Sequence, residues 1–204
     1  MEIQRINTYK DDRFPKEILL QHGAFVINGH QICMFKIIDH YSAEIYFDQD
    51  MEILPVIKEF REYAEHITRF YDKNHNKIVE YPPISVKSLP LDQIQPSQFF
   101  VDEDKVAAVS TFIYGPEDVI IPVAYDERIG KYLSLDGHSR LYYAAVQGWE
   151  TVRAFETTPG SYIYAFSDEA RRRGVFHAKD IVSLSHQAYV QQWYSFCDDF
   201  FATQ

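Results

Sequence analysis

Residues 131–152 read KYLSLDGHSRLYYAAVQGWETV, and they carry the clearest structural pattern in the second half of the chain. An apolar run that is typical of a strand ends at Leu135. A run that is typical of a helix begins at Ser139 and stops before Gly148, a residue type that commonly closes helices. The run TVRAFE then indicates another strand. The stretch therefore predicts a strand, a helix and a strand in direct succession, with a short polar turn before the helix.

The segments on either side extend this pattern. Upstream, ISVKSLPLDQI and VIIPVAY predict strands, and Asp102 is the expected N-cap of a helix that runs to about Ile113. Alternating strands and helices predict an α/β (α+β) fold, with a mixed sheet and helices in residues 82–160. A helical extension follows in residues 161–204, where apolar positions share one face from Ser185 onward. Those positions are Tyr189, Trp193, Phe196, Cys197, Phe200 and Phe201.

Residues 1–81 predict a separate small α+β domain. Phe14–His22 indicates a short helix, and three antiparallel strands are expected in AFVINGHQICMFKIIDHYSAEIYF, with a hairpin turn at Asn28–Gly29. Apolar residues at every third or fourth position predict a helix over Met51–Ile67, and RFYDKNHNKIVEY predicts a second hairpin. The consecutive prolines Pro82–Pro83 mark the boundary, because they stiffen a short connector. No function is indicated for this domain.

Charge and composition restrict the partners of the chain. Its 204 residues carry 20 basic and 30 acidic side chains, a net charge of −10 that repels nucleic-acid phosphates. The basic run Arg171–Arg173 precedes Gly174 and is typical of a helix end. Two isolated cysteines, Cys33 and Cys197, form neither a disulfide framework nor a zinc site. Because no apolar run is long enough for a membrane helix and no signal peptide is indicated, we expect a cytoplasmic protein without a membrane partner.

The polar turn between the first strand and the helix has the residues of an anion site. A helix start offers backbone N–H groups and the positive end of the helix dipole, and Gly137 lets a ligand approach the backbone. Arg140 can bind a phosphate with two N–H groups, His138 can donate or carry a proton, and Ser139 adds a hydroxyl. Asp136 can accept a proton or hold a metal ion. Alternatively, Asp136 and Ser139 are helix caps without a ligand.

The surrounding sequence resembles a known superfamily. LSLDGHSRLYYAAVQGWETVRAF and ISVKSLPLDQIQPSQFFVDEDKVAAVSTFI are similar to motifs of the ParB/sulfiredoxin superfamily, and together they cover residues 84–155, about a third of the chain. The resemblance implies a nucleotide-binding domain. It implies that Gly137, His138, Ser139 and Arg140 contact the phosphates. It also implies that Lys105, on the preceding helix, reaches across to the same site. A solvated lysine that pairs with a helix acid is the alternative for Lys105.

Three branches of the superfamily differ at this turn. Sulfiredoxins carry a catalytic cysteine where this chain has His138, so thiolate chemistry is not expected. The chromosome-partitioning proteins continue into a helix-turn-helix domain, for which the residues after Glu156 are too few. The free-serine kinases carry Asp-Gly-His-His-Arg, which matches this turn except at Ser139. The position of the acidic residue that acts as base in those kinases corresponds to Gln98 in this chain. A glutamine side chain cannot accept a proton at neutral pH. The other candidate bases are Glu103, Asp104 and Asp136.

Three functions follow from these residues as hypotheses. In the first, an enzyme binds ATP or ADP with Mg²⁺ and transfers phosphate to a small hydroxyl-bearing metabolite. Asp136 and His138 would then be catalytic, Asp136 would hold the metal, and Gln98 and Lys105 would contact the nucleotide. In the second, a non-catalytic module binds a nucleoside triphosphate, and its N-terminal domain or its aromatic C-terminal helix then changes its affinity for a partner. Separately, the aromatic face of that helix is expected to dock on the chain itself, with an oligomer contact as the alternative. The third, a ParB-like nuclease, needs an acidic metal site and a basic track, and the sequence shows neither.

Overall fold

The computed structural model describes residues 1–48 and 50–203. The chain divides into two compact units, Met1–Ile84 and a second unit that begins at Ser85. Each unit combines helices with a β-sheet, so the expected α/β fold class is confirmed. Within the described residues, no helix has the length and apolar character needed to cross a membrane.

The first unit is built on a six-stranded sheet whose strands lie in chain order. Its elements are β1 Ile3–Arg5, α1 Lys16–Leu20, β2 Ala24–Ile27, β3 Gln31–Asp39, β4 Ser42–Tyr46, α2 Ile53–Arg61, β5 Arg69–Asp72 and β6 Lys77–Glu80. Neighbouring strands are antiparallel except β4 and β5, which are parallel and are connected through α2. The turn between β2 and β3 has left-handed backbone at Asn28 and Gly29, as the hairpin prediction requires.

Strand β2 is buried on both faces, which places the two helices of this unit on opposite sides of the sheet. Successive strand residues point to opposite faces. Phe25 packs in the core that includes α2, whereas Val26 packs in the core that includes α1. The ring of Phe35 stacks on Phe60 of α2, with centroids 4.3 Å apart. Because aromatic side chains bury large apolar areas, this ring cluster is a main source of stability.

Two elements of the first unit differ from the expectation. Strand β1, which the sequence pattern does not indicate, pairs with β2. Helix α2 ends at Arg61, well before the expected end at Ile67. The Arg61 side chain donates hydrogen bonds to the carbonyls of Glu65 and Ile67, which holds the following residues in turns. Ala64 and Ile67 remain buried in these turns, so the apolar periodicity continues beyond the helix itself.

The second unit contains a five-stranded mixed sheet. Its elements are β7 Lys87–Pro90, β8 Ile94–Pro96, β9 Phe100–Asp102, α3 Glu103–Val109, β10 Ile120–Asp126, β11 Lys131–Ser134, α4 His138–Val146, β12 Thr151–Glu156, α5 Tyr162–Arg172, β13 Val182–Leu184, α6 His186–Tyr189 and α7 Ser195–Ala202. The sheet order is β7, β12, β10, β11, β8, and a short parallel pair joins β9 to β13. Because β8 and β11 are parallel, both end at the same edge of the sheet. That edge carries the polar turn.

The chain after residue 160 packs within the second unit. A π-helical turn at Val190–Tyr194 joins α6 to α7. The aromatic face of this C-terminal helix contacts Phe99 and Phe166, and the Phe99 and Trp193 ring centroids lie 5.1 Å apart. The helix therefore covers the core of its own unit. Contact of the same helix with a second copy of the chain stays a prediction.

The basic run lies at the C-terminal end of α5, as its sequence indicates. Gly174 follows the helix with a left-handed φ of 85°. Arg172 and Arg173 both pair with Glu169, at 2.7 Å and 2.6 Å. The Arg173 guanidinium also lies 4.2 Å from the centre of the Phe99 ring. These two arginines are thus engaged within the chain.

Candidate functional site

The polar turn between β11 and α4 depends on a glycine. Gly137 is the N-cap residue of α4, with a left-handed φ of 79°. A Cβ atom at this position would lie 2.7 Å from Cγ2 of Ile121 and 2.9 Å from Nη2 of Arg140. Both distances are shorter than normal van der Waals contacts, so neither the backbone angles nor the space accept a side chain. Gly137 therefore fixes the path of the chain into α4.

The N-cap residue of α4 provides no side-chain cap. Gly137 cannot cap the helix, and no acidic residue lies in its first turn. The Asp136 carboxylate is 59% exposed and accepts a hydrogen bond from Nη2 of Arg140 at 3.3 Å. Gly137 itself thus supplies no capping carboxylate or hydroxyl to the backbone amides at the start of α4. Amides and dipole together give this helix end a positive potential.

The largely buried side chain of Arg140 connects the turn to the neighbouring strand β10. Its side chain is 18% exposed, and Nη1 donates a hydrogen bond to the backbone carbonyl of Ile120 while Nη2 contacts Asp136. Burial lowers the pKa of the guanidinium, and the nearby Asp136 carboxylate opposes that shift. Arginine keeps its charge in proteins, so Arg140 adds positive charge directly beneath the helix start. Only a small part of the guanidinium remains exposed for a ligand.

His138 points into the protein rather than into solvent. The residue is 8% exposed, and its Nε2 lies 2.9 Å from Oγ of Ser134 and 3.1 Å from Oγ of Ser97. The Ser97 hydroxyl also donates to the Ser134 carbonyl at 2.6 Å. Burial lowers the pKa of His138 to about 4, so the imidazole is neutral at pH 7. In this position His138 ties β8 and β11 to the turn. Its predicted catalytic role stays a prediction.

The buried imidazole predicts a loss of stability in mild acid. An unfolded histidine has a pKa near 6.5, whereas His138 in the fold has a pKa of about 4. As the pH falls between these values, the unfolded chain binds a proton that the folded chain does not. We expect the free energy of unfolding to fall by about 2–3 kcal/mol over this range. Urea unfolding between pH 4 and pH 7 measures this loss.

Two variants assign that pH dependence. His138→Gln removes this titrating group, and we expect its unfolding free energy to fall by about 2–3 kcal/mol less than that of wild type between pH 7 and pH 4. His30 is exposed, so His30→Gln should keep the dependence of the wild type. A pH dependence that is equally steep in His138→Gln would contradict the buried, neutral state of His138.

Gln98 and Lys105 meet at the C-terminal helix. The Gln98 amide donates a hydrogen bond to the backbone carbonyl of Phe100, and a second to the Tyr189 hydroxyl at 2.9 Å. The Lys105 ammonium lies 5.4 Å from the centre of the Tyr189 ring. Gln98 directly follows Ser97, which contacts His138 in the turn. A short path of contacts therefore leads from the turn to α6. A contact of Gln98 or Lys105 with a nucleotide stays a prediction.

A second group of polar residues lies at the start of α3. Asp102 caps this helix as predicted and accepts a hydrogen bond from the Asp104 amide at 2.9 Å. Its other oxygen, Oδ2, lies 2.7 Å from Nδ1 of His186, the first residue of α6. Asp104 contributes a further exposed carboxylate to the group. Glu103 is also exposed at the start of this helix.

Sequence reasoning did not identify this group as a unit, nor the two serines that hold His138. The sequence offers a weak signal for the acids, since Asp102 and Asp104 alternate at a strand-to-helix junction. Nothing local connects them to His186, which the parallel pair of β9 and β13 brings into contact. Similarly, Ser97 reaches the turn only because β8 runs beside β11.

Comparison with known proteins adds little. No family model matches the chain, and no curated protein matches it. Among solved structures, the protein Atu1540 from Agrobacterium tumefaciens is similar with a TM-score of 0.32 and 17% identity, over 47% of this chain and 51% of that chain. A similarity of this size carries no conclusion about fold or function. The resemblance to the ParB/sulfiredoxin superfamily thus rests on residues 84–155 and stays a prediction.

Proposed function

We propose that the chain binds the phosphate groups of a nucleotide, ATP or ADP with Mg²⁺, at the turn Asp136–Arg140. The observation that carries this proposal is the start of α4, where the N-cap residue Gly137 has no side chain to accept from the backbone amides. Backbone N–H groups at a helix start need acceptors, and phosphate oxygens are suitable ones. Ser139 is only half-buried in the first turn of α4 and can add a hydroxyl contact. The sequence resemblance points to the same class of ligand.

The charges at the turn fit a nucleotide bound with a metal ion. The Arg140 guanidinium behind the turn favours an anion. The exposed Asp136 carboxylate would disfavour a bare phosphate, but it is a suitable ligand for Mg²⁺. Proteins commonly hold Mg²⁺ with one or two carboxylates, substrate phosphates and water. Asp136 and a nucleotide together meet that description.

Phosphate transfer to a small hydroxyl-bearing metabolite is the enzymatic form of this proposal. Catalysis of this reaction depends mainly on positioning and on neutralising charge, to which the α4 amides and Arg140 can contribute. His138 would act by holding the turn in place, since its imidazole is buried and neutral. Gln98 cannot be the base. Asp136 is the carboxylate at the turn itself and is therefore the candidate base in the alternative in which it does not hold the metal ion.

A nucleotide-responsive binding module is the second candidate, and the hydrogen bond from Gln98 to Tyr189 favours it. Ser97 contacts His138 at the turn, and the adjacent Gln98 contacts the C-terminal helix. A nucleotide at the turn can thereby bias the position of that helix. Such a response requires different nucleotide affinities for the two helix positions. The two candidates share one site and differ in whether the nucleotide is consumed.

The variant Ser139→Glu tests the proposed site without damaging the fold. An acid in the first turn of a helix is stabilising by about 0.3–1 kcal/mol, whereas its charge repels a bound phosphate by a few kcal/mol at short range, on the order of 100-fold in affinity. We expect wild type to bind Mg²⁺–ATP or Mg²⁺–ADP and Ser139→Glu to lose binding by about that factor. Isothermal titration measures the affinities, and urea unfolding measures stability.

Gln147→Glu is the matched control. Gln147 is exposed at the opposite end of α4, so the same added charge lies far from the first-turn amides. We expect its nucleotide affinity to remain close to that of wild type. Equal nucleotide affinity in wild type, Ser139→Glu and Gln147→Glu would show that any bound nucleotide lies outside the turn Asp136–Arg140. The absence of binding to ATP, ADP, CTP or GTP at millimolar concentration would contradict the proposed function.

A further inference from the structure

Ser97 carries a buried hydroxyl next to the polar turn. The residue is 2% exposed and directly follows β8, whose last residue, Pro96, pairs with Ser134 of β11. The Ser97 hydroxyl donates a hydrogen bond to the Ser134 carbonyl at 2.6 Å, and its Oγ lies 3.1 Å from Nε2 of His138. One side chain therefore contacts both the strand before the turn and the first residue of the helix after it.

The hydrogen bonds of Ser97 assign the tautomer of His138. A serine hydroxyl has one hydrogen to donate, and Ser97 uses it on the Ser134 carbonyl, which can only accept. Oγ of Ser97 therefore acts as the acceptor in its contact with Nε2 of His138. The imidazole is buried and neutral, so one ring nitrogen carries a hydrogen and the other does not. The contacts give that hydrogen to Nε2 and leave Nδ1 without one.

The second hydroxyl beside the imidazole does not specify the tautomer. Oγ of Ser134 lies 2.9 Å from Nε2 of His138, and a hydroxyl at this distance can either donate to a ring nitrogen or accept from an N–H group. The contact of Ser134 is thus compatible with both tautomers, whereas the contact of Ser97 fits only Nε2–H. Of these two serines, Ser97 is the one that specifies where the imidazole hydrogen lies.

We infer that Ser97 is a positioning residue for the phosphate site at the start of α4. Its hydroxyl fixes the hydrogen and the ring orientation of His138, the first residue of that helix. A ring held by β8 and β11 limits movement of the first helical turn, which carries the amides of Ser139 and Arg140. Donors that are already fixed bind a ligand without a further cost of ordering them. The inference rests on the proposed function, because it assigns Ser97 a role at that same site.

The tautomer of His138 can be measured without any nucleotide. In ¹⁵N-labelled protein, long-range NMR correlations from the ring protons distinguish Nε2–H from Nδ1–H histidines, and the signals that disappear in His138→Gln are those of His138. We expect wild type to contain the Nε2–H tautomer alone. Ser97→Ala removes the acceptor and should give a mixture of both tautomers. Ser134→Ala keeps the Ser134 carbonyl and the Ser97 contact, so it should show the wild-type tautomer.

Nucleotide affinity tests the consequence for the phosphate site. Isothermal titration with Mg²⁺–ATP and Mg²⁺–ADP should give an affinity about three- to tenfold lower for Ser97→Ala than for wild type, the equivalent of one hydrogen bond. Ser167→Ala is the matched control, because Ser167 is also buried in the second unit but its hydroxyl has no hydrogen-bond partner within the described residues. We expect Ser167→Ala to bind the nucleotide as wild type does. Urea unfolding shows that both variants are folded under the conditions of the titration.

The two measurements separate failure of this inference from failure of the proposed function. An Nδ1–H tautomer in wild type, or an unchanged Nε2–H tautomer in Ser97→Ala, would overturn the role assigned to Ser97. Equal nucleotide affinity in wild type and Ser97→Ala would also overturn that role while leaving the proposed site intact. An equal loss of affinity in Ser167→Ala would overturn it as well, because the effect would not depend on contact with His138. No nucleotide binding by wild type would contradict the proposed function and, with it, any role of Ser97 in binding.

Discussion

Replacing Gly137 by alanine should destabilise the second unit by about 2–5 kcal/mol. The left-handed backbone at this position costs an alanine about 1–2 kcal/mol. Its Cβ would also lie 2.7 Å from Ile121 and 2.9 Å from Arg140, and such overpacking typically costs about 1–3 kcal/mol. Trp149 and Trp193 both belong to the second unit, so urea unfolding followed by tryptophan fluorescence reports on the relevant part of the chain.

Gly148→Ala is the control that separates the two contributions. Gly148 also has a left-handed φ, of 74°, but a Cβ there would have nothing within 4 Å. We therefore expect Gly148→Ala to cost only the backbone term of about 1–2 kcal/mol. Equal losses in the two variants would show that a Cβ atom at position 137 does not clash with Ile121 and Arg140.

Replacing Phe99 by alanine should cost about 3–5 kcal/mol, which is typical for a fully buried phenylalanine. Phe99 is 1% exposed and packs edge-on against Trp193 and Phe196 of the C-terminal helix. The Arg173 guanidinium lies over the same ring. The truncation would leave a cavity between the C-terminal helix and the rest of the unit, so tryptophan fluorescence should detect both the lost stability and the altered surroundings of Trp193.

Phe201→Ala provides the comparison for Phe99→Ala. Phe201 belongs to the same aromatic helix but is 52% exposed. Its truncation removes little buried area, and we expect a loss of about 1 kcal/mol or less. If Phe201→Ala destabilised the protein as much as Phe99→Ala, the C-terminal helix would be buried more deeply than its packing on Phe99 indicates, for example by a second copy of the chain.

Much of the fold follows from local sequence signals. Asn28–Gly29 marks a hairpin because few other residues adopt the backbone angles of that turn. Gly148 and Gly174 mark helix ends for a similar reason, and both have left-handed backbone in the structure. Asp102 was recognisable as a cap because it precedes two acids at a helix start. In each case the signal depends on residues that are adjacent in the chain.

The site was less predictable because it depends on which way side chains point. His138 looks available for chemistry in the sequence, yet it is directed inward by Ser97 and Ser134, two residues brought together by strand pairing. Arg140 likewise donates a hydrogen bond to the carbonyl of Ile120, the first residue of β10. The spacing of residues in a turn does not specify these partners. They depend on the register of β8, β10 and β11, which the sequence pattern leaves open.

The contact between Asp102 and His186 shows the same limit over a longer distance. The two residues are separated by 84 positions in the chain. Each alone has an ordinary explanation, as a helix cap and as an exposed histidine near a helix start. Only the pairing of β9 with β13 gives them a joint chemistry.

The amide resonances of His138, Ser139 and Arg140 would report directly whether an anion binds at the start of α4. We would titrate ¹⁵N-labelled wild type with Mg²⁺–ATP and follow the amide resonances by NMR. We predict that the largest saturable shift changes occur at these three amides, with smaller changes at Gly137. Saturable changes confined to other parts of the chain, or none at millimolar nucleotide, would contradict a nucleotide site at this turn.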